Sequence, residues 1–346
     1  MNIEGFKISK EEKVFIIAEL SANHNGSLDV AKETVRAAKR AGADCIKLQT
    51  YTADTLTIDS KKDDFKISSG SIWDKRTFYD LYQEAYTPWE WHKELMETAK
   101  EEGIICFSSP FDKTAVDFLE KLNVPAYKIA SFEITDISLI EYTASKGKPI
   151  ILSTGIAGEE DIQLAINACK RVGNNDIALL KCTSSYPAPI NEANMCMVKD
   201  FAEKYDVISG LSDHTLGATV PIVATCFGAK IIEKHFILDR SIGGADATFS
   251  MNEEEFKSMV ASVREAEKAI GEIDYKLTEK QLKGKDFSRS LYVVENIKNG
   301  SIITEENIRS IRPGFGLHPK YYNEVLGKKV KRDLEKGDRL QLIDLE

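Results

Sequence analysis

Eight short β-rich runs alternate with stretches of helical periodicity along this chain, and no other feature restricts its possible folds so tightly. The strand candidates are Val14–Ala18, Cys45–Gln49, Ile104–Ser108, Ala126–Ile129, Ile150–Ser153, Ile177–Leu180, Val207–Gly210 and Ile231–Glu233. Helical stretches such as Asp29–Arg40, Trp89–Glu102, Lys113–Leu122, Glu159–Arg171 and Thr219–Phe227 lie between them. Several end at a glycine suited to a helix C-terminus: Gly42, Gly103, Gly173 and Gly228. Strict strand–helix alternation implies a parallel sheet. Eight such units over about 250 residues match the count and size of a (β/α)8 barrel. A doubly wound sheet is the competing arrangement, although its usual GxGxxG turn after the first strand is missing.

Two segments depart from the alternation. Residues 51–86 are long for a strand-to-helix loop, polar at first and then aromatic, with Trp73, Phe78, Tyr79, Tyr82 and Tyr86. On a barrel they form either a wall of the catalytic face or a surface decoration. The barrel is expected over residues 1–270, a charged linker over 271–286, and a small β-rich domain over 287–346. That tail repeats a turn phrase, Ile297-Lys298-Asn299-Gly300 and Leu334-Glu335-Lys336-Gly337-Asp338. A domain of about 60 residues has little core of its own and is expected to dock on another body.

The 346 residues carry a net charge of -9 without a long basic run, which argues against a duplex nucleic-acid partner. No apolar run approaches the roughly 20 residues of a membrane helix, so no membrane association is expected. The first residues lack a basic-then-apolar leader pattern. The six cysteines form no CxxC pair and read as reduced thiols, so a cytoplasmic protein is expected.

Barrel enzymes carry their working groups just past the C-terminal ends of the strands. Here those ends are crowded with polar residues: Glu19, Lys47 and Gln49, Ser108-Ser109, Lys128 with Ser131 and Glu133, and Ser153-Thr154. The later strands add Lys181 to Tyr186, Ser212-Asp213-His214 and Glu233-Lys234-His235. Packing alone calls for Val, Ile and Leu there. Three lysines (47, 128 and 181) with several hydroxyls suit a phosphate or carboxylate ligand. His214 and His235 follow neighbouring strands and, with a carboxylate from Glu19, Glu233 or Asp246, resemble an open Mn²⁺ or Mg²⁺ site. Such a metal would act as a Lewis acid on a carbonyl, pointing to condensation of a phosphorylated enol with an aldehyde. A Schiff-base lysine is the alternative chemistry. Among the remaining rings, His92 reads as structural, His24 as site-lining or turn-stabilising, His318 as a loop residue, and Trp73, Trp89 and Trp91 as packing.

These motifs resemble the sialic acid synthase family along nearly the whole chain. The phrases that carry the likeness are Ala18 to Gly26, Ile46-Lys47-Leu48-Gln49, Tyr127 to Ser131, Gly210 to His214 and Ile232 to Phe236. In the tail, Ser288-Arg289-Ser290-Leu291 and Ile311-Arg312-Pro313-Gly314 are similar to the antifreeze-like SAF domain. Gly70 to Arg76, Tyr79 to Tyr82, Tyr86 to His92, Phe107 to Phe111 and Arg312 to Pro319 resemble the branch that makes pseudaminate. The resemblance implies a (β/α)8 barrel followed by a SAF domain. It implies condensation of phosphoenolpyruvate with 2,4-diacetamido-2,4,6-trideoxy-β-L-altropyranose and water, with N-acetylneuraminate or legionaminate synthesis as the alternative. A non-catalytic sugar- or ice-binding protein is a more distant one. The family's phosphoenolpyruvate contacts map onto Lys47, Ser109, Lys128, Ser131, Ser153, Lys181 and Ser212. Its catalytic acids map onto Glu19, Glu133 and Asp246, its sugar contacts onto Asn23, Gln49, Tyr186 and Arg312, and its metal ligands onto His214 and His235. Arg312 would be lent by one subunit to the other in a domain-swapped homodimer. A 6-deoxy sugar further implies a more apolar pocket.

Overall fold

The computed structural model describes residues 1–68, 70 and 73–346, so Ser71 and Ile72 of the Gly70-to-Arg76 phrase lie outside the described residues. Two compact units divide the chain, Met1–Gly271 and Glu272–Glu346.

The first unit opens with a two-residue hairpin, β1 (Asn2–Ile3) against β2 (Phe6–Lys7). Eight strands follow: β3 (Phe15–Glu19), β4 (Cys45–Thr50), β5 (Ile105–Pro110), β6 (Tyr127–Ile129), β7 (Ile150–Ser153), β8 (Ile177–Cys182), β9 (Ile208–Asp213) and β10 (Ile231–His235). All neighbours pair in parallel, and β10 returns to β3 with Ile231 opposite Phe15, closing the barrel. The doubly wound alternative is excluded. The intervening helices are α1 (Leu28–Arg40), α2 (Ala53–Leu56), α3 (Phe78–Ala85), α4 (Trp91–Glu102), α5 (Lys113–Lys121), α6 (Ile137–Ala144), α7 (Glu159–Arg171), α8 (Cys196–Tyr205), α9 (Thr219–Cys226) and α10 (Glu253–Ile270).

Local signals explain where helices start and stop. The Asp112 carboxylate accepts from the Thr114 and Ala115 N–H groups to open α5, and Asn252 with Glu255 forms a reciprocal cap on α10. Helix α4 ends at Gly103, whose φ of 65° is left-handed and costs a glycine nothing. The outer strand face packs Ile16, Ala18, Ile46, Leu48, Leu211 and Ile232 against the helices.

Side chains alternate between this face and the barrel interior. The lower interior is apolar: Phe15, Ile17, Phe107, Ile151, Leu180 and Ile231 form one buried cluster with Ile3 of the hairpin and Ile8. The amino terminus lies 3.5 Å from Asp176, just before β8, so the hairpin closes the N-terminal end. Strands approach closely here. A Cβ on Gly210 would meet the Ile231 carbonyl at 2.3 Å and Leu180 Cδ2 at 2.7 Å.

The second unit pairs β11 (Ser290–Val293) with β12 (Ile308–Ile311) around Leu291, Val293, Ile297, Ile308, Val330 and Leu340. The two repeated turn phrases meet each other: Ile297 and Leu334 exchange backbone hydrogen bonds at 2.8 and 2.9 Å. The expected linker is not bare coil, since it holds α11 (Glu279–Gly284). Its end is tied into this unit by the Gly314 N–H, which donates to the Asp286 carbonyl at 3.0 Å. Past β12, helix α12 (Tyr322–Val325) packs Val325 into the same core. Among the described residues, no helix is long and apolar enough to cross a membrane.

Candidate active site

Most strands outrun their apolar sequence. Pairing continues to Glu19, Thr50, Pro110, Cys182, Asp213 and His235, so the polar residues at these ends still obey the two-residue alternation. The inward set opens onto a cavity of about 710 Å³. Its barrel side is lined by Glu19, Lys47, Gln49, Lys128, Ser131, Glu133, Ser153, Ser212, His214, Glu233, His235 and Asp246.

At its floor an ion cluster spans four strands. Lys47 Nζ contacts Glu19 Oε2, lies 3.5 Å from Glu233 Oε2 and donates to Ser109 Oγ at 3.2 Å. Lys128 Nζ lies 3.7 Å from Glu233 Oε1, which also accepts from Ser212 Oγ at 3.0 Å. Glu233 is thus shared by two ammonium groups and held below its ordinary value despite burial. Glu19 is pushed the other way, to about 7, because burial outweighs the attraction of Lys47 and Glu233 adds repulsion. Burial also raises Glu133 to about 7, and its Oε2 has no partner. Lys128 is lowered by burial and by the charge of Lys47. The cluster holds two cations that an anion can reach and two carboxyls able to carry a proton near neutrality.

Beside Lys128 the wall narrows to hydroxyls and backbone. Ser131 Oγ accepts from the Gly155 N–H at 3.1 Å, and Ser153 Oγ is buried without a partner. A Cβ on Gly155 would come within 2.0 Å of Ser184 Oγ and 2.7 Å of Ser131 Oγ, so glycine lets these hydroxyls pack against the backbone.

Further along the same rim, where His235 of β10 pairs with Glu19 of β3, the His214 and His235 rings stand with centroids 5.2 Å apart. The His214 Nδ1–H donates to the Thr183 carbonyl at 3.0 Å, leaving Nε2 as the free nitrogen. Burial and the neighbouring His214 hold His235 well below 6.5, and its Nδ1 is buried without a hydrogen-bond partner, 3.7 Å from Asp246 Oδ2. Among the described residues, no cluster of three or more His, Cys, Asp or Glu side chains is gathered around a metal-sized space. Two imidazoles sharing one ion place their ring centres about 5 Å apart, given nitrogen–metal bonds near 2.1 Å. A free nitrogen, an unpartnered buried nitrogen and this spacing fit an open divalent site.

The described residues of segment 51–86 contribute a wall to the cavity rather than a surface decoration alone. Leu56, Ile67, Trp73, Phe78, Leu81 and Tyr82 line the same cavity as the ion cluster. Trp73 Nε1 donates to the Ala245 carbonyl at 3.2 Å, and its ring stands 5.5 Å from Tyr186, which in turn stands 4.4 Å from His214.

Three expected residues are placed elsewhere. Lys181 pairs across β8 and β9 with Leu211, an outer-face residue, and its Nζ donates to the Cys182 carbonyl at 2.6 Å; the alternation gives Leu180 and Cys182 the interior. Asn23 is fully buried outside the cavity lining, donating to the Phe236 carbonyl at 2.9 Å and to Ser250 Oγ at 2.8 Å. Arg312 stands exposed on the second unit, beside a cis bond to Pro313. Ser109 touches Lys47 from just below the lining. Of the other rings, His92 bonds Thr50 at 2.8 Å and is structural, while His24 packs on Trp91 and touches Thr87. Ser21 was not anticipated. It lines the cavity and ties Asp246 to Gln49, donating to Asp246 at 2.5 Å and accepting from Gln49 at 3.0 Å. Its φ of 48°, unusual for a serine, was the signal that sequence could not show.

Comparisons agree with this construction. The NeuB family model matches residues 34–275 and the SAF domain model residues 288–346. A pseudaminic acid synthase of Campylobacter jejuni is 51% identical over 344 residues, 99% of each chain. A pseudaminic acid synthase of Helicobacter pylori is 50% identical, over 96% of this chain and 97% of its own. The N,N'-diacetyllegionaminic acid synthase of Legionella pneumophila falls to 36%, over 94% and 93%. Among solved structures, the N-acetylneuraminic acid synthetase of Leptospira borgpetersenii aligns with a TM-score of 0.73 and 29% identity, over 82% of this chain and 94% of its own. A closed eight-stranded barrel with lysines, carboxyls and paired imidazoles at one rim, followed by a SAF domain, identifies the chain as a member of the NeuB, or sialic acid synthase, family.

Proposed function

We propose that this chain condenses phosphoenolpyruvate with 2,4-diacetamido-2,4,6-trideoxy-β-L-altropyranose and water, giving pseudaminate and phosphate. The observation that carries this reading is the division of one cavity into a cationic half at Lys47 and Lys128, an imidazole half at His214 and His235, and an apolar wall. Identity of about half over the full length to pseudaminic acid synthases of two genera supports the choice of sugar.

In this reading the anionic groups of phosphoenolpyruvate replace the internal ion pairs of Lys47 and Lys128. Ser109, Ser131, Ser153 and Ser212 supply the remaining hydrogen bonds. Carbon three of the enol attacks the open-chain aldehyde, whose oxygen takes a proton from a carboxyl. Water adds at carbon two and gives a proton back, and the tetrahedral intermediate expels phosphate, leaving the ketone. Glu19 and Glu133, both near 7, are the groups able to give and take those protons, and Glu133 Oε2 is free to do so. Asp246, fixed by Ser21, together with Gln49 and Tyr186, borders the sugar end. A divalent metal, Mn²⁺ or Mg²⁺, held by His214 and His235 would supply Lewis-acid polarisation of the aldehyde.

The remaining elements of the proposal concern the assembly and its compartment. Arg312 of a second copy completes the sugar end in a homodimer, and the free thiols fit the cytoplasm. Phosphate release from phosphoenolpyruvate, measured with the altrose-configured sugar, N-acetylmannosamine and the legionaminate precursor side by side, tests the reading. Preference for the first is expected. Preference for either of the others refutes the sugar assignment, and no release with any refutes the reaction.

A further inference from the structure

Asp213 and Lys234 immediately precede the two rim histidines, and they face each other across the last rung of β9 and β10. Lys234 Nζ lies 2.5 Å from Asp213 Oδ2 and donates to the Thr215 carbonyl at 2.5 Å. Asp213 Oδ1 accepts from the Thr215 N–H at 2.9 Å. Each side chain is 1% exposed. The pair occupies the outer strand face, where Leu211 and Ile232 nearby pack against helices. Packing would be served better by apolar residues, because an ion pair taken out of water loses solvation that its mutual attraction barely restores. Directional bonds are what the pair adds. They join the ends of two strands side chain to side chain and fix the turn that leaves His214.

The next residue on each strand projects to the opposite face, into the cavity. His214 and His235 are therefore carried on a rung whose width and twist the ion pair sets. Their backbones are anchored as well: the His214 carbonyl accepts from the Ala188 N–H at 2.9 Å and the His235 carbonyl from the Met251 N–H at 3.0 Å. We propose that Asp213 and Lys234 act as a positioning clamp that holds the two imidazoles at the spacing needed to share one divalent cation. This inference rests on the metal-holding role given to the histidines above.

The test is Mn²⁺ binding to the full-length protein, followed by calorimetric titration and by the electron paramagnetic resonance of the bound ion, with phosphoenolpyruvate binding measured separately. In Asp213→Leu/Lys234→Met both charges leave together, so no lone buried ion remains to unfold the barrel. Mn²⁺ affinity is expected to fall about 10- to 100-fold, the usual cost of removing groups that orient metal ligands, while phosphoenolpyruvate affinity changes less than about threefold. Asp213→Asn, which keeps the side-chain shape, should lose affinity in the same direction, and Lys234→Arg should keep most of it. Parent-like Mn²⁺ affinity in either the double variant or Asp213→Asn overturns the clamp and leaves the metal reading standing. A parent protein that binds no Mn²⁺ overturns the metal reading and the clamp together.

Discussion

The lower and upper halves of the barrel interior are built on the same eight strands, yet they solve opposite problems. Below, Phe15, Ile17, Phe107, Ile151 and Ile231 exclude water and leave no polar atom to satisfy. Above, only two residues further along each strand, Glu19, Lys47, Lys128 and Glu233 are buried as a shared ion cluster, and Ser153 Oγ has no hydrogen-bond partner. Buried polar atoms held in this way cost stability unless a ligand completes them. The lower half supplies the stability that lets the upper half keep its charges poised.

Truncating the lower half is expected to have the largest effect. Phe15→Ala should cost about 3–5 kcal/mol of unfolding free energy in urea titrations, with turnover per folded molecule nearly unchanged. The converse change, Lys128→Met, should lower kcat/KM for phosphate release about 10²- to 10³-fold, with a smaller stability loss than Phe15→Ala because Lys47 still pairs with Glu233. A large stability loss there would break the division of labour.

Glu133 gives the comparison a pH dependence. Its carboxyl is raised by burial to about 7 from an ordinary 4.5, so between those values the folded chain binds more protons than the unfolded chain. Its contribution to stability must therefore fall as pH rises from 4.5 to about 7 and level off above. Glu133→Gln removes that slope, and urea titrations at pH 5 and pH 8 should differ by about 1–3 kcal/mol less than in the parent. The apolar wall should matter less. Leu81→Asn is expected to narrow the preference for the 6-deoxy sugar over N-acetylmannosamine by about tenfold, read as a ratio of kcat/KM. Smallest of all, Lys181→Met should shift the KM for phosphoenolpyruvate less than about threefold, because its ammonium is bonded on the outer face.

The same contrast decides what the sequence made legible. The lower half is written in Ile, Val and Phe at period two, so the strands and their order were readable from Phe15, Phe107 or Ile231. The upper half is written in polar residues, and an apolar criterion stops where they begin. Strand β8 was read as ending at Leu180, although pairing continues to Cys182. Losing those two residues loses the register, so sequence alone puts Lys181 at the rim, whereas the alternation gives the barrel interior to its neighbours Leu180 and Cys182. Asn23 is a polar residue whose partners, the Phe236 carbonyl and Ser250, are more than 200 positions away, a closure that only the folded barrel reveals. Within 51–86 the strand-like and helical signals are weak, so sequence alone leaves wall and decoration open, and the described residues owe their place to long-range contacts such as Trp73 to Ala245. Lys47, Lys128, His214 and His235 are legible as rim candidates because each lies inside an apolar run or within three residues of its end.

The proposed reaction divides the upper half into two separable parts, cations that would grip the phosphorylated enol and imidazoles that would hold a divalent metal. The most direct measurement is phosphate release from phosphoenolpyruvate and the altrose-configured sugar by protein stripped with EDTA and then repleted with Mn²⁺, with phosphoenolpyruvate binding followed in both states. The account predicts that stripping abolishes release, that Mn²⁺ restores it, and that phosphoenolpyruvate binds the stripped protein nearly as well as the repleted one. Undiminished release without metal, or loss of phosphoenolpyruvate binding together with the metal, would contradict it.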